Sequence, residues 1–148
     1  MDRILATLGP GRALGVITLA PSAIAALLDA GHERHPAALE ALGRTGLLPT
    51  VVPAATLAEV DRLLARRLDS AATPMFLAGL ERGETLLDCG DLDVPRIREL
   101  LLRFADVPLR LPDAAVIACA ERNGGAVLSF DRRALRVAAR ELPIRIFP

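Results

Sequence analysis

Two aspartates bracket one helix-turn-strand unit in the second half of the chain. Asp113 opens a nearly all-apolar helix predicted over residues 113–122, and Asp131 follows a short apolar strand predicted over residues 126–130. An Asn-Gly-Gly turn, residues 123–125, ends the helix between them. If the strand is parallel to its neighbours, both carboxylates reach the edge of the sheet at which α/β proteins place their ligands.

A third acid, Glu59, lies at the border of the apolar face of a helix predicted over residues 54–68. Each acid also has a structural explanation, since Asp113 and Asp131 are suited to cap helices and Glu59 to pair with Arg62, three residues on. Three carboxylates at one edge, however, repel one another unless a cation is bound. Oxygen ligands of this kind suit Mg²⁺ or Mn²⁺, which activate water against a phosphodiester. The acids therefore favour a metal-dependent hydrolysis, provided that the fold brings them together.

Other catalytic motifs have no support in the sequence. There is no GxGxxG after a strand and no GxxxxGK[ST] phosphate loop. His32 and His35 lack the spacing of a zinc-protease HExxH, and Ser22 lacks both a GxSxG turn and a late histidine to act as its base. Cys89 and Cys119 are thirty residues apart without a CxxC, so zinc is not expected and a reduced, intracellular protein fits best.

The composition restricts how the chain could meet a nucleic acid. Its 148 residues are 52% hydrophobic but only 3% aromatic, so the core must be aliphatic and base stacking is hardly available. The net charge is zero, which gives no long-range attraction to nucleic acid or membrane. All 18 basic residues are arginine, a usage that codon bias explains and that also suits bidentate binding of phosphate.

Short, continuously apolar strands alternate with helices along the chain. Strands are predicted over residues 15–19, 47–53, 85–88, 126–130 and 144–147. Helices are predicted over residues 21–30, from residue 35, and over residues 54–68, 70–80, 94–104, 113–122 and 132–140. Because the strands lack polar-apolar alternation, the pattern predicts an α/β fold with a parallel sheet of about five strands sandwiched by helices. We expect one domain over residues 15–148, preceded by an N-terminal extension over residues 1–14. The apolar run at residues 13–28 is too short and too interrupted to span a bilayer.

Three stretches resemble the motifs of PIN-domain ribonucleases, specifically the VapC-type toxins of bacterial toxin–antitoxin pairs. The stretch VVPAATLAEVDRLLARRL resembles the segment that presents the family's helix-borne glutamate, here Glu59. The stretch RLPDAAVIACAER resembles the segment with the third acid, here Asp113. The stretch VLSFDRRALRV, followed by IRIFP, resembles the segment with the fourth acid, here Asp131. Their order and spacing extend the resemblance from Gly15 to the end of the chain.

The resemblance implies a PIN-like fold and an endoribonuclease that uses Mg²⁺, or Mn²⁺ in its place, to cleave structured RNA such as tRNA or ribosomal RNA. It implies that Glu59, Asp113 and Asp131 hold the metal and that Ser22 supports the site by hydrogen bonding.

The resemblance also implies partners and a location. A cytoplasmic homodimer neutralised by a cognate antitoxin, whose C-terminal segment covers the acidic cleft, is the expected assembly. Arg132 and Arg133 are expected to hold the RNA backbone, although a solvated helix start explains them about as well.

The chain departs from the family at the first acid. The family's first strand ends in Asp-Thr-Ser or Asp-Pro-Ser, whereas this chain has Ala20-Pro21-Ser22 after a strand that otherwise fits. An inactivating Asp→Ala change, made so that a toxic protein could be expressed, is the explanation that we favour. A naturally degenerate family member is the second. Substitution by Asp29 is the third, and it is weakened because Asp29 lies roughly 13 Å along the helix axis from Ala20.

Three functions therefore compete before the structure is considered. The first is a toxin ribonuclease whose activity is lost or reduced by Ala20. The second is a catalytically dead PIN-like module that binds RNA or a protein partner. The third is a small α/β binding protein for another ligand, which would gain support if the three acids lay far apart.

Overall fold

The structure, a computed structural model, describes residues 15–46, 48–131 and 133–148. The predicted extension over residues 1–14 lies outside the described residues. The strands are β1 (Ile17–Leu19), β2 (Thr50–Pro53), β3 (Leu86–Asp88), β4 (Ala126–Leu128) and β5 (Arg145–Phe147). The helices are α1 (Pro21–Leu28), α2 (His35–Arg44), α3 (Leu57–Arg67), α4 (Ala72–Glu81), α5 (Val94–Arg103), α6 (Leu111–Arg122) and α7 (Ala134–Ala139). Short 3₁₀ turns, Ala54–Thr56 and Asp91–Asp93, lead into α3 and α5.

The five strands form one sheet in the order β3-β2-β1-β4-β5, and every pairing is parallel. The predicted α/β class with a parallel sheet between helices is therefore confirmed. Strand β1 lies at the centre, and its residues Ile17 and Thr18 are fully buried. Because β1 and β4 are paired with Leu19 opposite Leu128, the residues that follow these two strands emerge side by side at the carboxyl edge.

Two apolar clusters cover the two faces of the sheet. Val127 points into one cluster with residues of α5, α6 and α7, such as Leu100 and Ile117. Its neighbour Leu128 points into the other, with residues of α1 and α3 such as Ile24 and Leu64. This alternation along β4 follows from the two-residue period of a strand. Helix α6 is buried over seven consecutive residues, which explains its continuous apolar sequence.

The observed bounds of several elements differ from the predicted ones. The strand predicted over residues 126–130 ends at Leu128. The Ser129 N–H still donates to Phe147 O, but the Phe130 N–H turns away from the sheet and donates to Ser22 Oγ. The helix predicted over residues 54–68 begins with a 3₁₀ turn. The helix predicted from Asp113 begins two residues earlier, and the last helix begins at Ala134. Among the described helices, none is long and apolar enough to cross a membrane.

Candidate active site

A cleft of about 280 Å³ opens where β1 and β4 end. Glu59 from α3, Asp113 from α6 and Asp131 from the loop after β4 all line it, together with Ala20. The parallel sheet thus brings together three acids that are far apart in sequence. The shared lining of one cleft weighs against a binding protein for another ligand, which wide separation of the acids would have favoured. Apolar side chains complete the wall: Leu63, Val116, Phe130 and Leu135.

Asp113 is a partly buried carboxyl of the cleft that also contacts the start of its own helix. It is the third residue of α6, and its Oδ2 accepts the backbone N–H of Arg110 at 2.9 Å. The expectation that Asp113 is the N-cap is therefore wrong: the side chain reaches back to the residue before the helix instead. Burial raises the pKa of Asp113, the Arg110 amide opposes this, and the charges of Asp131 and Glu59 raise it further. The charges of the other two acids of the cleft therefore both act on Asp113.

Asp131 is held by its own loop. Its backbone N–H donates to Ser129 Oγ at 3.1 Å, and its Oδ1 accepts the N–H of Arg133 at 3.2 Å. The predicted helix cap at this position is not formed as expected, because α7 begins only at Ala134 and Asp131 closes a short turn before it. Arg132, predicted to contact RNA, lies outside the described residues. Arg133 is described and exposed, directly beside the cleft residue Asp131.

Glu59 shows the ion pair that its sequence position suggested. Its Oε1 accepts a hydrogen bond from Arg62 Nη2 at 3.2 Å, one helical turn on. The carboxylate also lines the cleft, and 28% of its side chain remains exposed. Glu59 therefore faces both a surface arginine and the acidic cleft.

A pair of serines lies behind the acids. Ser22 Oγ accepts the backbone N–H of Phe130 at 3.0 Å and lies 3.3 Å from Ser129 Oγ. Ser22 was expected to support the site, and this contact ties the start of α1 to the loop that carries Asp131. Ser129 was not anticipated, because the sequence placed it inside an apolar strand. Its signal was a single polar residue, two positions before an acid, within the run AVLSF.

Ala20 occupies the corner of the cleft where the family pattern has an acid. It is 5% exposed, and its backbone N–H donates to Leu128 O at 3.0 Å, which fixes it at the end of β1. Asp29 does not replace the missing carboxylate: it accepts a hydrogen bond from Arg67 Nε at 3.0 Å and is not part of the cleft wall. The acid remains absent from this corner.

The donors of the cleft fit a divalent cation in kind but not in number. Carboxylate and hydroxyl oxygens are the ligands that hard cations such as Mg²⁺ select. Within residues 15–46, 48–131 and 133–148, however, no three His, Cys, Asp or Glu side chains stand close enough to hold one ion. Ala20 lies among the three acids of the cleft wall, so a carboxylate there would add the missing donor.

A second ionic cluster lies outside the cleft. Arg122, at the end of α6, donates to Asp93 and, at 2.6 Å, to Asp88 Oδ2. Burial acts to raise the pKa of Asp88, but the hydrogen bonds and charge of Arg122 outweigh it, so this pKa lies below its ordinary value. Cys119 packs beside the cluster, and burial raises the pKa of its thiol to about 11, as suits a core residue. These contacts join α6 to β3, and none of the four residues lines the acidic cleft.

Comparisons with known proteins agree with this arrangement. A model of the PIN domain matches residues 21–140. Among solved structures, VapC20 from Mycobacterium tuberculosis, a toxin that cleaves the sarcin-ricin loop, is 25% identical with a TM-score of 0.66, over 83% of this chain and 94% of that one. FitAcB from Neisseria gonorrhoeae is 20% identical with a TM-score of 0.56, over 90% of this chain and 97% of that one, and shows the fold. No curated protein matches the chain.

The family model covers most of the chain, including Glu59, Asp113 and Asp131 and excluding only the two ends. The five-stranded parallel sheet and the acidic cleft at its carboxyl edge are those expected from the sequence motifs. The chain therefore belongs to the PIN domain family, whose members are generally nucleases.

Proposed function

We propose that this chain is a toxin endoribonuclease of a toxin–antitoxin pair in which one metal-binding position has been lost. The observation that carries the proposal is the convergence of Glu59, Asp113 and Asp131 on one cleft beside Ala20. Family membership supports nuclease chemistry, and the similarity to a sarcin-ricin loop cleaving toxin supports RNA as the substrate. Structured RNA, either tRNA or ribosomal RNA, is the substrate class that we propose.

The three acids are the proposed metal ligands, with Mg²⁺ as the cation and Mn²⁺ as an alternative. A bound divalent cation supplies charge neutralisation and an activated water for attack on the phosphodiester. Asp113 gains most from a cation, because its ionised form is disfavoured by burial and by two neighbouring acids. Glu59 must turn from Arg62 toward the cleft to take part.

One serine of the cleft is proposed to support the site, and two arginines that follow Asp131 in sequence are proposed to hold the RNA. Ser22 supports the site from the start of α1 through its contact with the Asp131 loop. Arg133 is exposed and lies two residues after Asp131, so its guanidinium can contact a phosphate at the surface of the protein. Arg132 is proposed for the same contact on the basis of its sequence position alone.

Ala20 predicts that the chain as written cleaves RNA weakly or not at all. The Ala20→Asp variant restores a carboxylate at the end of β1, where the residue is 5% exposed and lines the cleft. We expect this variant to cleave a panel of tRNAs and ribosomal RNA with Mg²⁺ and to lose that activity in EDTA. The assay measures initial cleavage rates at equal protein concentration.

The Ala20→Asn variant is the matched control, because it has the same shape without the charge. It should remain as inactive as the chain with Ala20. If Ala20→Asp shows no metal-dependent cleavage on any of these RNAs, the endoribonuclease proposal is wrong.

A catalytically dead PIN-like module that binds RNA or a protein partner is the alternative, and Ala20 is the observation that favours it. The codon in genomic DNA separates the two: an Asp codon indicates an introduced change, whereas an Ala codon favours the dead module. The dead module would also be favoured if the chain with Ala20 bound RNA and the Ala20→Asp variant did not cleave it.

The proposed assembly follows from the toxin assignment. We propose a cognate antitoxin whose C-terminal segment covers the acidic cleft, a homodimer, and action in the cytoplasm. An antitoxin segment that enters this cleft needs a basic side chain, because the cleft wall carries three acids.

A further inference from the structure

Two serine hydroxyls contact each other in the wall of the cleft. Ser22 Oγ and Ser129 Oγ lie 3.3 Å apart although the residues are 107 positions apart in sequence. Each oxygen also accepts one backbone N–H of the loop after β4: Ser22 accepts that of Phe130 at 3.0 Å, and Ser129 that of Asp131 at 3.1 Å. The two hydroxyls together therefore hold the segment that presents Asp131.

The burial of the two serines decides which one donates to the other. A hydroxyl carries a single proton, so only one of them can donate across the 3.3 Å contact. Ser129 is fully buried, and within the described residues Ser22 Oγ is the acceptor in reach of its proton. An unsatisfied buried donor would cost about 1–3 kcal/mol. Both serines line the cleft, but only Ser22 is partly exposed, so the proton of Ser22 can be satisfied there by water or a ligand.

We propose that Ser129 is a positioning residue that donates its proton to Ser22 and thereby turns the Ser22 hydroxyl into a donor toward the cleft. The class of ligand rests on the proposed function: the Ser22 proton is donated to a phosphodiester oxygen of RNA. Ionised carboxylates only accept hydrogen bonds and repel phosphate. In a cleft lined by Glu59, Asp113 and Asp131, a fixed hydroxyl donor adds a contact to a phosphate oxygen that the carboxylates themselves cannot make.

The proposed donor direction, from Ser129 to Ser22, also strengthens the hydrogen bond between Ser129 Oγ and the Asp131 amide. Ser129 donates with its proton and accepts the Asp131 amide with its oxygen, and hydrogen bonds in such a chain polarise one another. Loss of the Ser129 hydroxyl should therefore affect two things together, the orientation of Ser22 and the rigidity of the Asp131 backbone.

The first test does not depend on nuclease activity and uses the full chain with Ala20. Proton NMR should detect a slowly exchanging hydroxyl from Ser129, whereas the Ser22 hydroxyl exchanges rapidly with water. In Ser129→Ala, the Asp131 amide should exchange about five- to tenfold faster, the loss expected for one ordinary hydrogen bond. Ser129→Thr, which keeps the hydroxyl, should restore the slow exchange.

Two further variants keep this test decisive. Ser22→Ala, at a half-buried position, should abolish the slow Ser129 hydroxyl signal and speed exchange of the Phe130 amide. Ser70→Ala is the control, because Ser70 is exposed and should change neither amide. The inference is overturned if the slow hydroxyl belongs to Ser22, or if Ser129→Ala leaves the exchange of the Asp131 amide unchanged.

The second test uses the Ala20→Asp background and measures RNA cleavage. Ser22→Ala and Ser129→Ala should each lower the cleavage rate about tenfold, and Ser129→Thr should recover it. Equal rates with and without the Ser129 hydroxyl would overturn its positioning role. If the Ala20→Asp background itself does not cleave RNA, the proposed function fails, while the exchange measurements still decide the order of the hydroxyls.

Discussion

At the scale of single residues, Asp113 shows how one side chain serves both the helix and the site. Its carboxylate accepts the Arg110 amide at 2.9 Å, so it stabilises the start of α6. The same carboxylate is partly buried beside Asp131 and Glu59, and burial followed by these charges raises its pKa. The hydrogen bond to the Arg110 amide gives Asp113 a structural role, and its raised pKa marks a carboxylate whose charge a bound cation would stabilise.

The raised pKa of Asp113 predicts a pH-dependent effect of Asp113→Asn. A carboxyl whose pKa is raised by folding stabilises the fold below the unfolded pKa, and that stability is lost as the pH rises through the folded value. At pH 7.5 the neutral Asn should therefore raise the melting temperature by about 1–4 °C, a small shift because the group is partly solvated. Thermal denaturation at pH 7.5 and pH 3 measures it.

At pH 3 the advantage of Asp113→Asn should disappear, because Asp113 is then protonated in both states. Asp106→Asn is the matched control at an exposed acid and should have no effect at either pH. A lower melting temperature for Asp113→Asn at pH 7.5 would show that the amide contact outweighs the repulsion.

At the scale of elements, Gly125 connects helix α6 to the two strands at one side of the sheet. Its N–H donates to Ala120 O and its carbonyl accepts from Arg145 N–H, both at 2.7 Å. Its φ is +88°, and a Cβ at this position would lie 2.7 Å from Pro143 O. The Asn-Gly-Gly turn thus ends α6 and also permits the close approach of the chain before β5.

Gly125→Ala should therefore destabilise the fold by about 2–4 kcal/mol, as the sum of left-handed strain and a backbone clash. The matched control is Gly83→Ala, which has a φ of +72° but no atom within 4 Å of the added Cβ. That variant should lose only about 1–2 kcal/mol, from backbone strain alone. Urea denaturation of both variants isolates the clash, and equal losses would contradict the close approach at Gly125.

At the scale of the whole molecule, Arg122 joins parts of the chain that are about thirty residues apart. It holds Asp88 at the end of β3 and Asp93 in the 3₁₀ turn before α5, and Asp93 is only 5% exposed. The edge strand β3 is therefore attached to the rest of the fold by an ionic contact as well as by its pairing with β2. Removal of the arginine would leave a buried carboxylate without its partner.

Arg122→Gln should consequently cost about 1–3 kcal/mol at pH 7, because the buried Asp93 carboxylate loses its charged partner, while the 43% exposure of the Arg122 side chain keeps the loss below that of a fully buried pair. Arg44→Gln is the matched control, since Arg44 and Glu40 form an exposed pair within one helix, and its loss should be below about 0.5 kcal/mol. The lowered pKa of Asp88 also predicts how this loss of stability depends on pH. The stabilisation from ionised Asp88 is present above the pKa of the unfolded chain and is lost as the pH falls through the pKa of the folded chain.

Chemical denaturation of Arg122→Gln between pH 3 and pH 7 measures this effect. The difference in the free energy of unfolding between Arg122→Gln and the unchanged chain should shrink toward pH 3. A constant difference over that range would mean that Arg122 contributes by packing and not by charge.

The amino-acid sequence by itself determined the class of fold and the identity of the acids. Continuously apolar strands between helical segments are typical of a parallel sheet buried on both faces, so the class of fold followed from the pattern. The central strands β1 and β4 are buried in this way, whereas Leu86 and Leu87 of the edge strand β3 are exposed. The three motif segments likewise specified Glu59, Asp113 and Asp131, and the absence of an acid at Ala20, without any coordinates. The short-range pairing of Glu59 with Arg62 was also predictable, because helical spacing alone brings them together.

Only the tertiary structure decided how these residues meet. The role of Ser129 depends on a contact with Ser22 across 107 positions, and that of Arg122 on contacts with Asp88 and Asp93, which no local pattern encodes. The convergence of Asp113 with Glu59 and Asp131 on one cleft likewise depends on the packing of α3 and α6 and on the loop after β4. The physical reason is the same in each case: periodicity and propensity act between near neighbours, whereas burial and hydrogen bonding across the sheet edge are fixed only when the strands are paired.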